Sequence, residues 1–152
     1  MGLGGDNLST WNGISLELKP ASNVGIEISP SYRYAKDDTQ WVENVDSDGD
    51  DEDDRFIFGE LTSKVFELGV RGTWALSPFL STQLFLQPFV TTGDYGRIKE
   101  LARGRSYDFT DYDGLEENPD FRRRALRFNL VMRWEYAPGS TVFVIWQQNR
   151  DR

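Results

Sequence analysis

The amino-acid sequence predicts an all-β fold: an antiparallel up-and-down meander of about six long strands, part of a transmembrane β-barrel. Three observations point there. Apolar and polar residues alternate over long stretches, short proline-containing turns recur along the chain, and long polar connections separate them. Alternation with a period of two marks a strand, because successive side chains point to opposite faces of a sheet.

The turns set the frame. Lys19-Pro20-Ala21-Ser22-Asn23, Leu76-Ser77-Pro78-Phe79 and Ala137-Pro138-Gly139-Ser140 carry the residues that tight turns favour. They recur about every sixty residues, the period of a long hairpin plus a connection rather than of a small solenoid repeat. Residues 1–152 thus read as a single barrel segment, with hairpins at about 11–36, 60–93 and 121–149 and long outer loops at about 36–58 and 94–120. Short turns at one end and long loops at the other is the asymmetry of outer-membrane barrels, whose turns are periplasmic.

The strands follow in order. Ile14, Leu16 and Leu18 oppose Ser15, Glu17 and Lys19. Val24, Ile26, Ile28, Pro30, Tyr32 and Tyr34 oppose Gly25, Glu27, Ser29, Ser31 and Arg33. Phe66, Leu68, Val70, Gly72, Trp74 and Leu76 oppose Val65, Glu67, Gly69, Arg71 and Thr73. Leu80, Thr82, Leu84 and Leu86 oppose Ser81, Gln83, Phe85 and Gln87. Leu126, Phe128, Leu130, Met132, Trp134 and Tyr136 oppose Arg127, Asn129, Val131, Arg133 and Glu135. The last segment, Thr141 to Gln147, is apolar on both faces, so its orientation stays open. Several strands reach the roughly ten residues that cross a bilayer at a tilt near 45°, whereas soluble strands usually stop at about five or six. Pro30 and Pro88 each remove a ladder donor, which predicts bulges or locally unpaired edges.

Alternation alone also suits a soluble β-barrel or β-sandwich binding module with its apolar face inside, and that is the alternative. Aromatics favour the membrane. Trp11, Tyr34, Trp74, Trp134, Tyr136 and Trp146, with Trp41, Phe79 and Tyr95, gather near strand ends as an interfacial girdle requires. On this reading Glu17, Glu27, Arg33, Glu67, Arg71, Arg127, Arg133 and Glu135 face the lumen, since an arginine facing lipid at the midplane costs about 2–4 kcal/mol. There they would form a charged lattice that satisfies itself.

Composition excludes several chemistries. With no histidine and no cysteine, imidazole-based triads, thiolate metal sites and disulfide frameworks are out. A net charge of −8 disfavours nucleic acid as a partner. Scattered carboxylates form no catalytic constellation, so no enzyme is expected. No apolar run is long enough for a transmembrane helix, but barrel strands carry far weaker hydropathy. Residues 1–6 lack the features of a secretory signal, which is read as a leader lying upstream.

Longer strings carry a family resemblance. Ile28-Ser29-Pro30-Ser31-Tyr32, Gln83 through Val90 with Gly93-Asp94-Tyr95, Lys99 through Arg103 with Arg105 through Phe109, and Leu130 through Tyr136 followed by Pro138 through Thr141 occur in order. Together they resemble the C-terminal segment of a family of large outer-membrane barrels of unknown function, whose N-terminal domain is similar to a family 9 carbohydrate-binding module. The resemblance implies localisation in the cell outer membrane, partners among its lipids, and the remaining strands of a larger barrel or other copies beside these. It also implies carbohydrate as a candidate ligand. Against that family's pattern the acidic stretch 46–54 is an insertion, and a further closing strand is expected after Gln147-Gln148-Asn149-Arg150-Asp151-Arg152.

Three local motifs remain. Asp46, Asp48 and Asp50 alternate around Gly49 and are candidate Ca²⁺ ligands, although a solvated acidic loop suits the same residues and the EF-hand glutamate is missing. Arg97 through Gly104 predicts a short helix, in an outer loop or folded into the lumen. Arg122-Arg123-Arg124 is expected to pair internally with the acidic excess, with lipid phosphate as the other candidate. The chain therefore reads as a barrel-wall segment, channel or glycan-uptake related, without chemistry of its own.

Overall fold

A computed structural model describes residues 7–46, 55–115 and 117–152. Its regular elements are β1 (Leu8–Gly13), β2 (Leu16–Ala21), β3 (Val24–Val45), β4 (Arg55–Ser77), β5 (Leu80–Leu101), β6 (Phe109–Asp111), β7 (Phe121–Ala137) and β8 (Ser140–Asp151). Among the described residues there is no helix. The strands join one sheet in the order β1-β3-β4-β5-β7-β8, with β2 pairing β3 and β6 pairing β5. The fold is thus an all-β, antiparallel, up-and-down sheet that does not close. Two-residue turns at 22–23, 78–79 and 138–139 connect its hairpins. Gly139 has a φ of 76°, a left-handed conformation open to glycine at no steric cost.

The first edge is split in two at a proline. β2 pairs with β3 through Leu16↔Ile28, Glu17↔Glu27 and Leu18↔Ile26, a register that would put Ile14 opposite Pro30. The Ile14 amide does donate to the Pro30 carbonyl at 3.2 Å, but Pro30 has no N–H to return. The ladder breaks there, between β1 and β2. Pro88, by contrast, lies inside an unbroken β5.

The long strands overrun the expected loops. β3 runs to Val45, β4 starts at Arg55 and β5 ends at Leu101, so the described parts of 36–58 and 94–101 are largely strand. Thr39, Trp41, Val42 and Val45 supply the β-branched and aromatic side chains that a pleated surface favours. The short helix expected at Arg97–Gly104 is likewise a strand as far as Leu101. Lys99↔Asp111, Glu100↔Thr110 and Leu101↔Phe109 form a ladder with β6, and ladder hydrogen bonds override a weak helical propensity.

The chain divides into two compact units. One comprises Trp11–Tyr32, Val65–Thr91 and Arg123–Arg152. Within it the even-numbered residues of β2, β4 and β7 carry most of the apolar side chains, and the β2–β3 and β7–β8 registers keep even opposite even until they shift near the turns, at Ala21↔Val24 and Ala137↔Ser140. Leu16, Phe66, Trp74, Leu76, Trp134, Val142, Val144 and Trp146 are all 41–58% exposed on this face. The ladder Leu130↔Trp146, Met132↔Val144 and Trp134↔Val142 settles the open orientation of the last segment. Phe143 and Ile145 fall on the other face, opposite Arg133 and Val131.

The other unit comprises Met1–Thr10, Arg33–Lys64 and Thr92–Arg122, and it is bound mainly by charged and aromatic contacts. Ile57 is the fully buried large side chain among the described residues. The Arg55 guanidinium grips the Glu100 carboxylate with two bonds of 3.0 and 2.5 Å and stacks 4.9 Å from the Tyr112 ring. Lys99, 8% exposed, holds its ammonium 4.7 Å from the Phe109 ring, whose edge meets Phe58.

Candidate functional site

The polar face of the first-described unit is the candidate site, and its register explains its contacts. Glu17 stands directly opposite Glu27, and like charges so placed repel. They turn aside. Glu17 pairs with Lys19 at 2.9 Å, while Glu27 accepts from the Ser15 hydroxyl at 3.1 Å. The Ala75 amide donates to the Asn23 carbonyl at 2.9 Å, and the Thr73 hydroxyl reaches the Gly25 carbonyl at 3.5 Å. One step further along each strand, Glu27 comes beside Arg71, and with Glu17 they line a depression of about 180 Å³.

Arg71 forms no ion pair among the described residues; its guanidinium lies 5.6 Å over the Phe85 ring. Gln87 donates to Glu67 at 2.6 Å. Arg133 pairs with Glu135 at 3.3 Å, the single ion pair within the set of eight expected lumenal charges. The expected lattice is therefore mostly one of hydroxyls, amides and a ring rather than of carboxylate–guanidinium bridges. Cross-strand register decides this, since it sets Glu against Glu. Arg127 stands on this face opposite Asn149, and Arg33 belongs to the other unit.

Uncharged residues complete the face around Arg71. Arg71, Gln83, Phe85, Asn129 and Val131 line a depression of about 400 Å³. Buried there, the Asn129 side-chain oxygen has no protein partner among the described residues. The signal was present in the sequence as the odd-numbered Gln83, Phe85 and Asn129, but only pairing of β4 with β5 and β5 with β7 gathers them.

The aromatic set divides. Trp74, Trp134, Tyr136 and Trp146 stand on the apolar face, 48–58% exposed, with Trp134 edge-on to Tyr136 and Trp146 edge-on to Phe128. Trp11 does not join them. Its indole lies over Gly13 beside Ser31, and it shares a depression with Ser15, Ser29 and Glu67 on the polar face. Trp11 is odd-numbered like Ser15 and Glu17, so uninterrupted alternation already sets it on the polar face. Tyr34 and Trp41 belong to the other unit, where the Trp41 indole donates to Asn44 at 2.8 Å.

Of the candidate Ca²⁺ ligands, Asp48 and Asp50 lie outside the described residues, as does most of the acidic stretch. Among the described residues no three carboxylates come together around a common point. In the charged unit, hydrogen bonding to Arg97 holds the Asp111 carboxyl below its ordinary value, and the Arg97 guanidinium is correspondingly raised. Burial, then Asp120 and Asp37, push the Tyr95 hydroxyl up.

A family model described as a domain of unknown function, DUF5916, matches residues 5–152. The chain belongs to that family. No curated protein and no solved structure matches it. What the DUF5916 face offers chemically is hydrogen bonding: donors and acceptors of both charges around a ring, displayed on rigid strands.

Proposed function

We propose that the chain is a wall segment of a Gram-negative outer-membrane β-barrel, with its even-numbered apolar face toward lipid and its polar face toward a lumen. One observation carries this: the largest apolar side chains of the sheet are about half exposed, with Ile57 the fully buried one among the described residues. A soluble domain covers such a face with a second layer, and exposed apolar area costs roughly 25 cal/mol per Å². Lipid covers it without one.

The spanning portions are those of the apolar-faced unit, where the shares of β3, β4, β5, β7 and β8 meet or exceed the ~9–11 residues of a crossing. Edges β1/β2 and β8 would leave backbone groups unpaired in hydrocarbon, so the wall includes further strands of a larger barrel or other copies. The lumenal face serves passage of polar solutes such as glycans by hydrogen bonding, without chemistry of its own.

Refolding into detergent tests the proposal. A wall segment requires detergent or lipid and migrates differently on a gel before and after boiling. A monomer soluble in plain buffer, with unchanged migration, would instead be the soluble barrel or sandwich module, its apolar face closed inward.

A further inference from the structure

We infer that Arg124, Arg150 and Arg152 form a docking site for the phosphate groups of membrane lipids, at the rim of the apolar band. The inference rests on the lipid-facing assignment of the even-numbered face. Arg124 and Arg152 exchange both backbone hydrogen bonds, at 2.6 and 2.8 Å, so they stand directly opposite each other. Arg150 stands opposite Leu126, two residues from Arg124 on the same strand face. The three guanidinium groups therefore share the face of Leu126, Phe128, Leu130 and Trp146, although charges of the polar face line the other side of the same strands.

Their position along the strands fits an interface. Trp146, opposite Leu130, packs edge-on to Phe128 at 5.3 Å between centroids. Arg150 lies six residues beyond Val144, the partner of Met132 at mid-strand, roughly 20 Å along a strand and roughly 14 Å along the normal at a 45° tilt. That places it where hydrocarbon gives way to headgroups, at the end of β7 and β8 remote from the turn at 138–139. A long arginine side chain adjusts its depth by the rest.

All three residues are exposed, and no side-chain carboxylate lies within ion-pair distance of their guanidinium groups among the described residues. Asp151 pairs with Ala125 and so faces the opposite side. The Gln148 carboxamide, with its oxygen toward Arg150, accepts from Nε and Nη2 at 3.0 and 2.9 Å, which orients that guanidinium without neutralising it. Three forked cations above an apolar face complement an amphiphile with phosphate at the top of its acyl chains, as in a phosphorylated glycolipid. A free phosphate would gain the charges but leave the band below unused.

The test is lipid retention by the full chain in neutral phosphatidylcholine vesicles doped with bis-phosphorylated lipid A, its dephosphorylated form, or inorganic phosphate. Expected are insertion in all three, and selective retention of the phosphorylated lipid that falls roughly fivefold for each arginine changed to Gln. The triple Arg→Lys variant should keep most of it, which separates charge from folding. Equal retention of both lipid forms, or unchanged retention in the triple Gln variant, overturns the site while leaving the wall-segment proposal standing. Retention matched by inorganic phosphate competition at equal concentration also overturns it. Failure to insert into neutral vesicles overturns both.

Discussion

Glycines that sit under rings are the residues whose replacement has the clearest expected sign. A Cβ on Gly93 would clash with the Phe121 ring, and one on Gly59 would meet the Tyr95 ring at 2.7 Å. Both are glycines in strands covered by an aromatic from another strand, an arrangement that repays the entropy of a strand glycine with ring contact. Gly93→Val should therefore destabilise by about 1–3 kcal/mol through overpacking, and the cost should largely vanish in a Phe121→Ala background. Denaturant titrations of the four proteins in this cycle check it; additive effects would mean that the ring does not mediate the cost. A second residue-scale prediction concerns acid. Because Arg97 holds Asp111 below its ordinary value of 3.8, the pair's contribution is present above that pH and is lost as pH falls through the depressed folded value. Both groups are exposed, so the prediction concerns titration only. The Asp111 carboxyl should titrate at lower pH than in an Arg97→Gln variant, as read from its side-chain carbon shifts in NMR. Identical titration midpoints would refute the coupling.

At the scale of the element, the strand break opposite Pro30 is a backbone effect with a backbone test. Replacing Pro30 with Ala supplies the donor that Ile14 lacks, so the new amide at position 30 should be protected from hydrogen exchange and β1 should run continuously into β2. An unprotected amide there would place the cause of the break elsewhere. This break also marks the limit of what alternation conveys. The antiparallel meander, its turns at 22–23, 78–79 and 138–139, and the apolar faces of β4 and β7 were legible because period-two patterning and turn residues are local signals. The overrun of β3, β4 and β5 into expected loops was not, because charged residues such as Arg55, Glu100 and Arg97 are strand residues here only through partners distant in sequence. The orientation of β8 was illegible for a related reason. Val142 through Trp146 are apolar on both faces, and only the ladder to β7 assigns Val144 to one side and Ile145 to the other. Trp11 shows the converse, a residue singled out by its type whose odd number sets it beside Ser15, Ser29 and Glu67.

For the whole molecule, the decisive question is what covers the even-numbered face, and the absence of cysteine from the sequence makes it directly measurable. Single cysteines at Leu130, Val131, Met132 and Arg133 sample alternate faces of β7, opposite Trp146, Ile145, Val144 and Phe143. In lipid vesicles, positions 131 and 133 should react with a water-soluble maleimide and positions 130 and 132 only with an apolar one. A soluble barrel or sandwich would bury 130 and 132 in protein and leave them inert to both reagents. The energetic counterpart has the same alternation: Met132→Arg should cost about 2–4 kcal/mol at the bilayer midplane, and Val131→Arg far less, because a lumenal guanidinium keeps its water. The two measurements guard each other. A soluble core would also reject Met132→Arg, so the stability difference alone cannot distinguish lipid from protein, whereas reaction of cysteine 132 with the apolar reagent requires that lipid, not a second protein layer, lie against it.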